Sequence, residues 1–466
     1  MIRLKDNYPN ILKRDIFDAG AGFDIDQVFM QFERYAGLTL SSQKARGLLS
    51  LMHSTSTSED PLWTLEDIKR GADGRIEQFI VRTYCVMGII GMVSPKGDAE
   101  KQIQVEIGSR FDEGKNQFFF NYLLSRICDF SLTVEMITAG GNSYLNFLLS
   151  LFFVLKIAEA SSVGLYREYV DVFENNMSFR GVFNPERDMQ DNYPIPKGIA
   201  HTARDILFDN PINHLLLSAA KKIEQNYGFL WEVSHDALTF LNILKQETPT
   251  WRNLEMNRRF ASSSIYRPLR HPYYAPYYEI LRKLALLILH DDGLSLYEKN
   301  PEYELNGIVF NGADLWEEYI YLILRENHLA GILHPNNRSR YLPHYLYQGN
   351  GRPIYPDFIS TDKKMIFDAK YKHLDGFQLD DKDRFQLISY LHTQNAKVGY
   401  LIFPTQLANS TVFPEGTLNG GGGEIGIYPL HISKNESLDA FLKDMIEEED
   451  SLKRWVEKLY QRVSSI

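Results

Sequence analysis

Residues 355–370 read YPDFISTDKKMIFDAK and decide how the C-terminal third of the chain folds. Two short apolar runs flank a polar turn, and this pattern predicts a β-hairpin. Asp368 and Lys370 are two residues apart, so on a strand their side chains face the same side. Asp357 begins the other strand of the hairpin. We therefore expect two carboxylates and one ammonium group to converge at one point.

These three side chains are suited to phosphodiester hydrolysis. Two carboxylates, together with waters, can hold Mg²⁺, and the metal polarises a phosphate and lowers the pKa of a bound water. A lysine beside the metal can orient that water and offset the charge that builds on the phosphate. We predict Mg²⁺ as the cofactor, with Asp357 and Asp368 as its ligands and Lys370 as the third catalytic residue. A short Asp…Asp-x-Lys pattern also arises by chance, so its context must support it.

Three features of the surrounding sequence give that support. An acidic pair lies on a predicted upstream helix, in residues 315–319, where a nuclease of this fold places its first carboxylate. Gln386 and Tyr390 are four residues apart on the next helix and share a face, although ordinary amphipathicity explains this spacing equally well. Residues 401–404 provide the next central strand. Together these features favour the nuclease interpretation.

The order of these motifs resembles the McrC family, the nuclease subunits of modified-cytosine-dependent restriction systems. The segments that carry the resemblance are LWE (315–317), YPD (355–357), FDAKYK (367–372), QxxxY (386–390), LIFP (401–404) and IGI (425–427), with weaker matches at 108–111 (GSRF), 179–184 and 209–213. The resemblance implies an α/β, restriction-endonuclease-like PD-(D/E)xK domain. It also implies that Asp357, Asp368 and Lys370 are catalytic. Glu317 would be a further acidic member of the site, with the adjacent Glu318 as the alternative.

The resemblance also implies partners. Family members act with an McrB-like AAA+ GTPase hexamer, on which this chain would dock and whose hydrolysis it would stimulate. The substrate would be double-stranded DNA with modified cytosine. The partner would also translocate the DNA. The chain has no GxxxxGK[ST] loop, so the energy for translocation must come from such a partner, which could use GTP or ATP.

The 466 residues suggest two or three domains. We predict a mixed α+β N-terminal domain over 1–160 that docks on the motor, a mainly helical middle segment over 161–302, and the nuclease domain with a C-terminal helix over 303–466. Within the first, 27–52 is predicted to be helical, and 79–93 and 103–107 to be paired strands. The apolar run 144–157 is shorter than the ~20 residues of a membrane span, so it predicts a buried helix.

The net charge of −10 argues against a protein that coats nucleic acid through a global positive field. One local stretch, 252–283, carries seven basic and two acidic residues. Its Arg258, Arg259, Arg267 and Arg270 are candidate DNA contacts, although a solvated surface or internal ion pairs explain the stretch equally well. Two cysteines and an N-terminus without an apolar run indicate the cytoplasm.

Two other functions remain open from the sequence. The first is a stand-alone repair or recombination nuclease with the same site, which would cut DNA with Mg²⁺ alone. The second is a non-catalytic adaptor that grips DNA or activates a motor. The complete set of Asp357, Asp368 and Lys370 argues against the adaptor, which has no need of three converging charges.

Overall fold

A computed structural model describes most of the chain. The residues described are 2–18, 24–42, 47–50, 60–84, 86–92, 103–112, 117–130, 142–195, 197–251, 265, 267–289, 305–326, 331–334, 344–347, 353–374, 378–407, 412–419 and 423–465. The helices are α1 (Arg14–Asp18), α2 (Ile25–Tyr35), α3 (Phe118–Cys128), α4 (Asn142–Ala160), α5 (Pro185–Asn192), α6 (Pro211–Tyr227), α7 (His235–Glu247), α8 (Ala275–Leu289), α9 (Gly312–Arg325), α10 (Asp381–Gln394) and α11 (Leu438–Ser464).

The strands are β1 (Ile2–Lys5), β2 (Pro9–Lys13), β3 (Gly47–Ser50), β4 (Trp63–Arg70), β5 (Ile76–Thr83), β6 (Val86–Met92), β7 (Ile103–Gly108), β8 (Glu168–Asn176), β9 (Val182–Phe183), β10 (Ile199–Leu207), β11 (Leu305–Asn311), β12 (Ile332–Leu333), β13 (His344–Tyr345), β14 (Pro353–Ile354), β15 (Phe358–Ser360), β16 (Met365–Ala369), β17 (Val398–Thr405), β18 (Phe413–Thr417) and β19 (Glu424–His431). The protein is therefore a mixed α/β chain, as the sequence predicts.

The residues cluster into two compact units. The first combines Met1–Gly141 with Asn300–Ile466, and the second is Asn142–Lys299. The sequence predicts three consecutive segments instead. The difference arises at β11, which pairs antiparallel with β6 and parallel with β3, so a strand assigned to the nuclease segment lies in the N-terminal sheet.

Two sheets form the N-terminal part of the first unit. One has the order β1-β7-β6-β11-β3, and the other has the order β2-β5-β4. In the first sheet β6 is buried along its whole length, and Gly88 approaches β11 so closely that a Cβ there would lie 2.1 Å from the Ile308 carbonyl oxygen. The predicted pairing of 79–93 with 103–107 is confirmed for β6 and β7, but 79–93 is split between the two sheets.

The prediction of one helix over 27–52 is only partly correct. Helix α2 ends at Tyr35, and residues 47–50 form strand β3 beside β11. The amphipathic face of α2 ends there, with Phe29, Phe32 and Tyr35 buried in the apolar core. The short apolar run at 47–50 fits a strand as well as a helix, and its pairing with a strand distant in sequence decides between them.

The C-terminal part of the first unit is a six-stranded sheet of order β12-β15-β16-β17-β19-β18. Strands β16, β17 and β19 run parallel, and β15 and β18 are antiparallel to their neighbours. Helix α10 covers one face, where Leu387 and Leu391 join the same apolar cluster as Ile366 and Leu401. Helix α11 covers the other face through Trp455, whose ring contacts those of Phe367, Tyr400 and Tyr428. Burial on both faces explains the continuous apolar runs of β17 and β19.

The second unit contains α4 to α8 and a three-stranded antiparallel sheet of order β8-β10-β9. The prediction of a mainly helical segment is correct for its helices but missed this sheet. The sheet pairs nine residues of β10 with β8, and alternate β8 residues are exposed, so no apolar run marks it. Over Asn146–Val163 the described chain is long and apolar enough to cross a membrane, but 61% of that window is buried. This burial is typical of a core helix, as predicted.

Candidate active site

The β15–β16 hairpin brings the predicted catalytic side chains together. Phe358 pairs with Phe367 and Ile359 with Ile366, and Asp357 directly precedes β15 while Asp368 follows Phe367 on β16. The Asp357 Oδ2 atom accepts a hydrogen bond of 2.8 Å from the Ala369 backbone N–H. The Lys370 Nζ atom lies 2.6 Å from Asp368 Oδ2. The hairpin predicted from the sequence is therefore present, with both carboxylates and the lysine at one end.

Asp368 is the most constrained of these groups. It is 1% exposed, its Oδ2 is paired with the Lys370 ammonium, and its Oδ1 has no hydrogen-bond partner among the described residues. Burial raises the pKa of Asp368, and the charge of Lys370 opposes that rise. A buried carboxylate oxygen without a hydrogen bond is costly, so this atom is suited to a bound cation.

The charges around Asp357 also favour a bound cation. Burial, the Asp368 carboxylate and the Glu317 carboxylate, in that order, raise the pKa of Asp357 well above its usual value. Burial alone would lower the pKa of Lys370, but the carboxylates of Asp368 and Asp357 outweigh it and raise that pKa. Lys370 therefore remains an ammonium group, and the carboxylates around it still repel one another.

Glu317 reaches the site from helix α9. Asn311 caps the N-terminus of the helix, because its Oδ1 accepts hydrogen bonds from the Ala313 and Asp314 backbone N–H groups. The Glu317 Oε1 atom lies 2.6 Å from His334 Nε2, and the Glu317 charge raises the pKa of both aspartates. The structure thus brings Glu317 to the site beside a buried histidine that no sequence pattern marks.

Helix α10 contributes the predicted pair and one further acid. Gln386 Nε2 donates to the Tyr390 hydroxyl (2.8 Å), which donates to the Tyr355 carbonyl oxygen (3.0 Å), two residues before Asp357. Asp383 lies one turn before Gln386, is buried, and forms an ion pair with Lys372. Its charge raises the pKa of Asp368. Sequence reasoning missed Asp383, although its spacing from Gln386 places both on one helix face.

The candidate DNA-contact arginines lie in the second unit or outside the described residues. Arg258 and Arg259 are outside the described residues. Arg267 and Arg270 are exposed. Arg282, from the same basic stretch, is buried and forms an ion pair with Glu279, so it contributes no free positive charge.

A metal ion at this site would need oxygen ligands from the acidic side chains. The described part of the chain contains no group of three or more His, Cys, Asp or Glu side chains placed to hold a metal. The site does offer two neighbouring aspartates, Asp357 and Asp368, whose charges interact, and the buried Asp368 Oδ1, which has no hydrogen-bond partner among the described residues. A hard cation such as Mg²⁺ fits that set, because it binds through one or two carboxylates and keeps several waters.

Comparison with known proteins identifies the family. A model of the McrBC 5-methylcytosine restriction system component family matches residues 85–404, more than half of the chain. The chain belongs to this family. The McrBC match confirms the resemblance drawn from the sequence, and it covers the N-terminal strands β6 and β7 as well as the hairpin with Asp357 and Asp368.

Two solved structures are similar to this McrBC-family chain. One is a refined half-complex from a tetradecameric assembly of Thermococcus gammatolerans McrB AAA+ hexamers with bound McrC. It has 14% identity and a TM-score of 0.48, and the alignment covers 97% of this chain and 99% of that chain. The other is a cryo-EM structure of the Thermococcus gammatolerans McrBC complex, with 12% identity, a TM-score of 0.30, and 70% and 87% coverage. No curated protein matches the chain.

Proposed function

We propose that this McrBC-family chain is the metal-dependent DNA endonuclease subunit of its restriction system. The observation that carries the proposal is the end of the β15–β16 hairpin, where Asp357 accepts a hydrogen bond from the Ala369 N–H beside Asp368 and Lys370 lies 2.6 Å from a buried Asp368 oxygen. Buried carboxylates with raised pKa values in one cluster are typical of functional sites.

The arrangement of elements around the hairpin supports a PD-(D/E)xK fold for the C-terminal part of the chain from α9 onward, without β11. The hairpin leads into parallel strands β16, β17 and β19, with α10 and α11 on opposite faces of the sheet. Helix α9 precedes the hairpin and carries Glu317, and α10 follows it with Gln386 and Tyr390. Each supporting element is thus in the order the family motif requires.

Asp357 and Asp368 would hold Mg²⁺, with Glu317 as a further acid. When bound, the ion polarises the scissile phosphate and lowers the pKa of a coordinated water. Asp357 is fixed by the Ala369 N–H bond, so its second oxygen remains for a ligand. Lys370 keeps its proton and can offset negative charge on the phosphate and orient the attacking water.

A partner follows from the family and from the sequence. The family name describes a system component, and the sequence has no P-loop of its own. We propose that the chain docks on and stimulates an McrB-like AAA+ GTPase hexamer in the cytoplasm, and that their substrate is double-stranded DNA with modified cytosine. Residues 1–160 remain the proposed docking part. Deleting them would also remove the strands paired with β11, so the intact chain is the right test object.

The test uses the purified chain, its cognate motor, modified DNA, nucleotide and Mg²⁺. Asp368→Asn and Lys370→Ala should each abolish cleavage while motor stimulation persists, because cutting and docking would use different surfaces. Asp381→Asn is the matched control, since its side chain is 81% exposed on α10. Cleavage by both site variants at the wild-type rate would overturn the assignment.

The same experiment separates the other candidates. Cutting by the chain and Mg²⁺ alone would identify a stand-alone nuclease. Stimulation of hydrolysis without any cutting by the wild-type chain would identify an adaptor. Equal hydrolysis rates of the motor with and without the chain, where the two co-elute, would remove the motor-activator part of the proposal.

A further inference from the structure

Tyr371, the residue after Lys370, is enclosed by three consecutive residues from the N-terminal part of the first unit. Its hydroxyl lies 2.7 Å from Ser109 Oγ. The Arg110 guanidinium lies over its ring, 4.7 Å from the centroid. The Phe111 and Tyr371 rings pack edge to face, with their centroids 5.2 Å apart. Tyr371 is only 6% exposed. The GSRF segment therefore surrounds the residue next to the proposed catalytic lysine.

Arg110 is itself fixed. Its backbone N–H donates to Asp6 Oδ1 at 2.6 Å, and its guanidinium donates to Asp6 Oδ2 at 3.0 Å. The Arg110 and Asp6 side chains are 3% and 0% exposed, so water cannot replace either partner of the ion pair. Because a guanidinium is always charged, the ion pair with Asp6 holds it in place over the tyrosine ring. The position of Tyr371 is thus set by a rigid pair.

Lys370 lies beyond the end of its strand. Strand β16 ends at Ala369, and the Lys370 N–H donates to the Ile402 carbonyl oxygen at 2.9 Å. On its other side the backbone is anchored through the Tyr371 side chain. That ring also packs against the start of α9, where a Cβ on Gly312 would lie 2.8 Å from Tyr371 Cε1. The ring therefore has little room to shift toward the helix that carries Glu317.

We infer that Ser109, Arg110 and Tyr371 form a positioning clamp, which holds Lys370 at the distance from Asp368 that cleavage requires. The clamp residues are positioning residues, since none of them contacts the reacting groups. A functional side chain must be held within about 0.5 Å of its productive geometry by its supporting shell. The inference rests on the proposed nuclease function and adds that the N-terminal strands are needed for catalytic geometry.

The test uses the full chain with Tyr371→Phe and Ser109→Ala, each of which removes one side of the 2.7 Å hydrogen bond. Tyr400→Phe is the matched control. Tyr400 is also buried and its hydroxyl also bonds a partner, Glu424. It pairs in register with Phe367, so it lies on the opposite face of the sheet from Asp368.

Two readouts are measured. The first is kcat and KM for cleavage of modified DNA by the chain with its motor. The second is the rate at which acetic anhydride acetylates Lys370, followed by mass spectrometry with the exposed Lys363 as the internal reference. Acetylation needs no cleavage, so it reports the position of Lys370 even if the nuclease function is wrong.

Tyr371→Phe and Ser109→Ala should each lower kcat, by up to about 10²-fold, with KM unchanged, because misplacement of a catalytic group affects the chemical step. Lys370 should become acetylated faster in both, since it leaves its carboxylate neighbours. The double variant should lose less kcat than the two single losses combined, because both substitutions remove the same Ser109–Tyr371 hydrogen bond, although Tyr371 also loses its contact with Met87 Sδ and Ser109 its bond from the Phe111 N–H. Tyr400→Phe should change neither readout.

Unchanged acetylation of Lys370 in both variants would overturn the clamp, even if cleavage falls through lost stability. Faster acetylation in Tyr400→Phe as well would also overturn it, because the effect would then be a general loosening of the sheet. The wild-type chain could also cut no DNA while Lys370 is acetylated faster only in Tyr371→Phe and Ser109→Ala. That result would support the clamp and refute the nuclease function.

Discussion

Replacing Asp368 with asparagine should remove the stabilisation that Mg²⁺ gives to the protein. Asp368 is buried, its Oδ1 has no hydrogen-bond partner among the described residues, and the carboxylates around it repel one another. A bound cation relieves both costs, whereas an amide cannot serve as the charged ligand. The folded protein should therefore bind Mg²⁺ and unfold at a higher temperature, and Asp368→Asn should lose this response.

The size of the effect follows from the size of the first unit. Its two segments, Met1–Gly141 and Asn300–Ile466, contain 308 residues. At about 2.1 cal/mol/K per residue, its entropy of unfolding is about 0.65 kcal/mol/K. Mg²⁺ at about 100 times its Kd adds about 2.7 kcal/mol, which raises the midpoint by about 4 °C. If Asp368→Asn binds Mg²⁺ about 100-fold more weakly, the same metal concentration adds only about 0.4 kcal/mol. The midpoint of unfolding then rises by less than about 1 °C.

The assay is differential scanning calorimetry of the wild-type chain, Asp368→Asn and Asp381→Asn, each with EDTA and with Mg²⁺. Isothermal titration calorimetry fixes the Kd that sets the metal concentration. The exposed control should shift like the wild type. An equal Mg²⁺ shift in Asp368→Asn, or none in the wild type at millimolar Mg²⁺, would refute the assignment of the buried carboxylate as a metal ligand.

The pH dependence has a definite sign. Burial raises the pKa of Asp357 and Asp368 above 3.8, so protons compete with the metal in a range above that value. The Mg²⁺ shift should be largest at alkaline pH and decline as the pH falls through the raised pKa values. Without metal the sign is opposite: the folded carboxylates bind protons more tightly than the unfolded ones, so their contribution to stability is lost as the pH rises through the folded pKa.

The remaining predictions concern the supporting residues. Glu317→Gln should reduce cleavage by at least about 10²-fold, as loss of a transition-state electrostatic group does, whereas Glu318→Gln should have little effect; single-turnover cleavage compares them. Tyr390→Phe should destabilise the protein by about 1–3 kcal/mol because the Tyr355 carbonyl and Gln386 lose a partner, as urea unfolding would measure. Arg267→Ala and Arg270→Ala should each lower the salt slope of DNA binding by about 0.9 if each contacts one phosphate, and an unchanged slope would identify them as solvated surface.

The C-terminal sequence determines its own local structure to a large degree. Two apolar runs around the turn at 361–364 specify the β15–β16 hairpin, and the spacing of Asp368 and Lys370 specifies their common face. The helix over Asp381–Gln394 places Gln386 and Tyr390 together for the same reason. These relations follow from strand and helix periodicity, which depends only on residues close in sequence.

Relations between distant residues could not be predicted this way. Strand β3 lies in a segment predicted as a helix, because only its pairing with β11 makes it a strand. The β8-β10-β9 sheet was missed because its exposed, alternating residues leave no apolar run. His334 and Asp383 belong to no motif. Tertiary packing alone brings them to the site, where His334 lies beside Glu317 and Asp383 beside Lys372.

By itself the sequence determined the identity and order of the catalytic candidates, since each is fixed by a short local pattern. The tertiary structure decided two further properties. It buried Asp368 beside Lys370 and placed the Glu317 charge near both aspartates, and burial together with that charge raises the pKa values of Asp357 and Asp368. It also brought residues 6 and 109–111 against Tyr371. Burial and contacts between residues over 100 positions apart depend on how the sheets assemble, and no local pattern encodes that assembly.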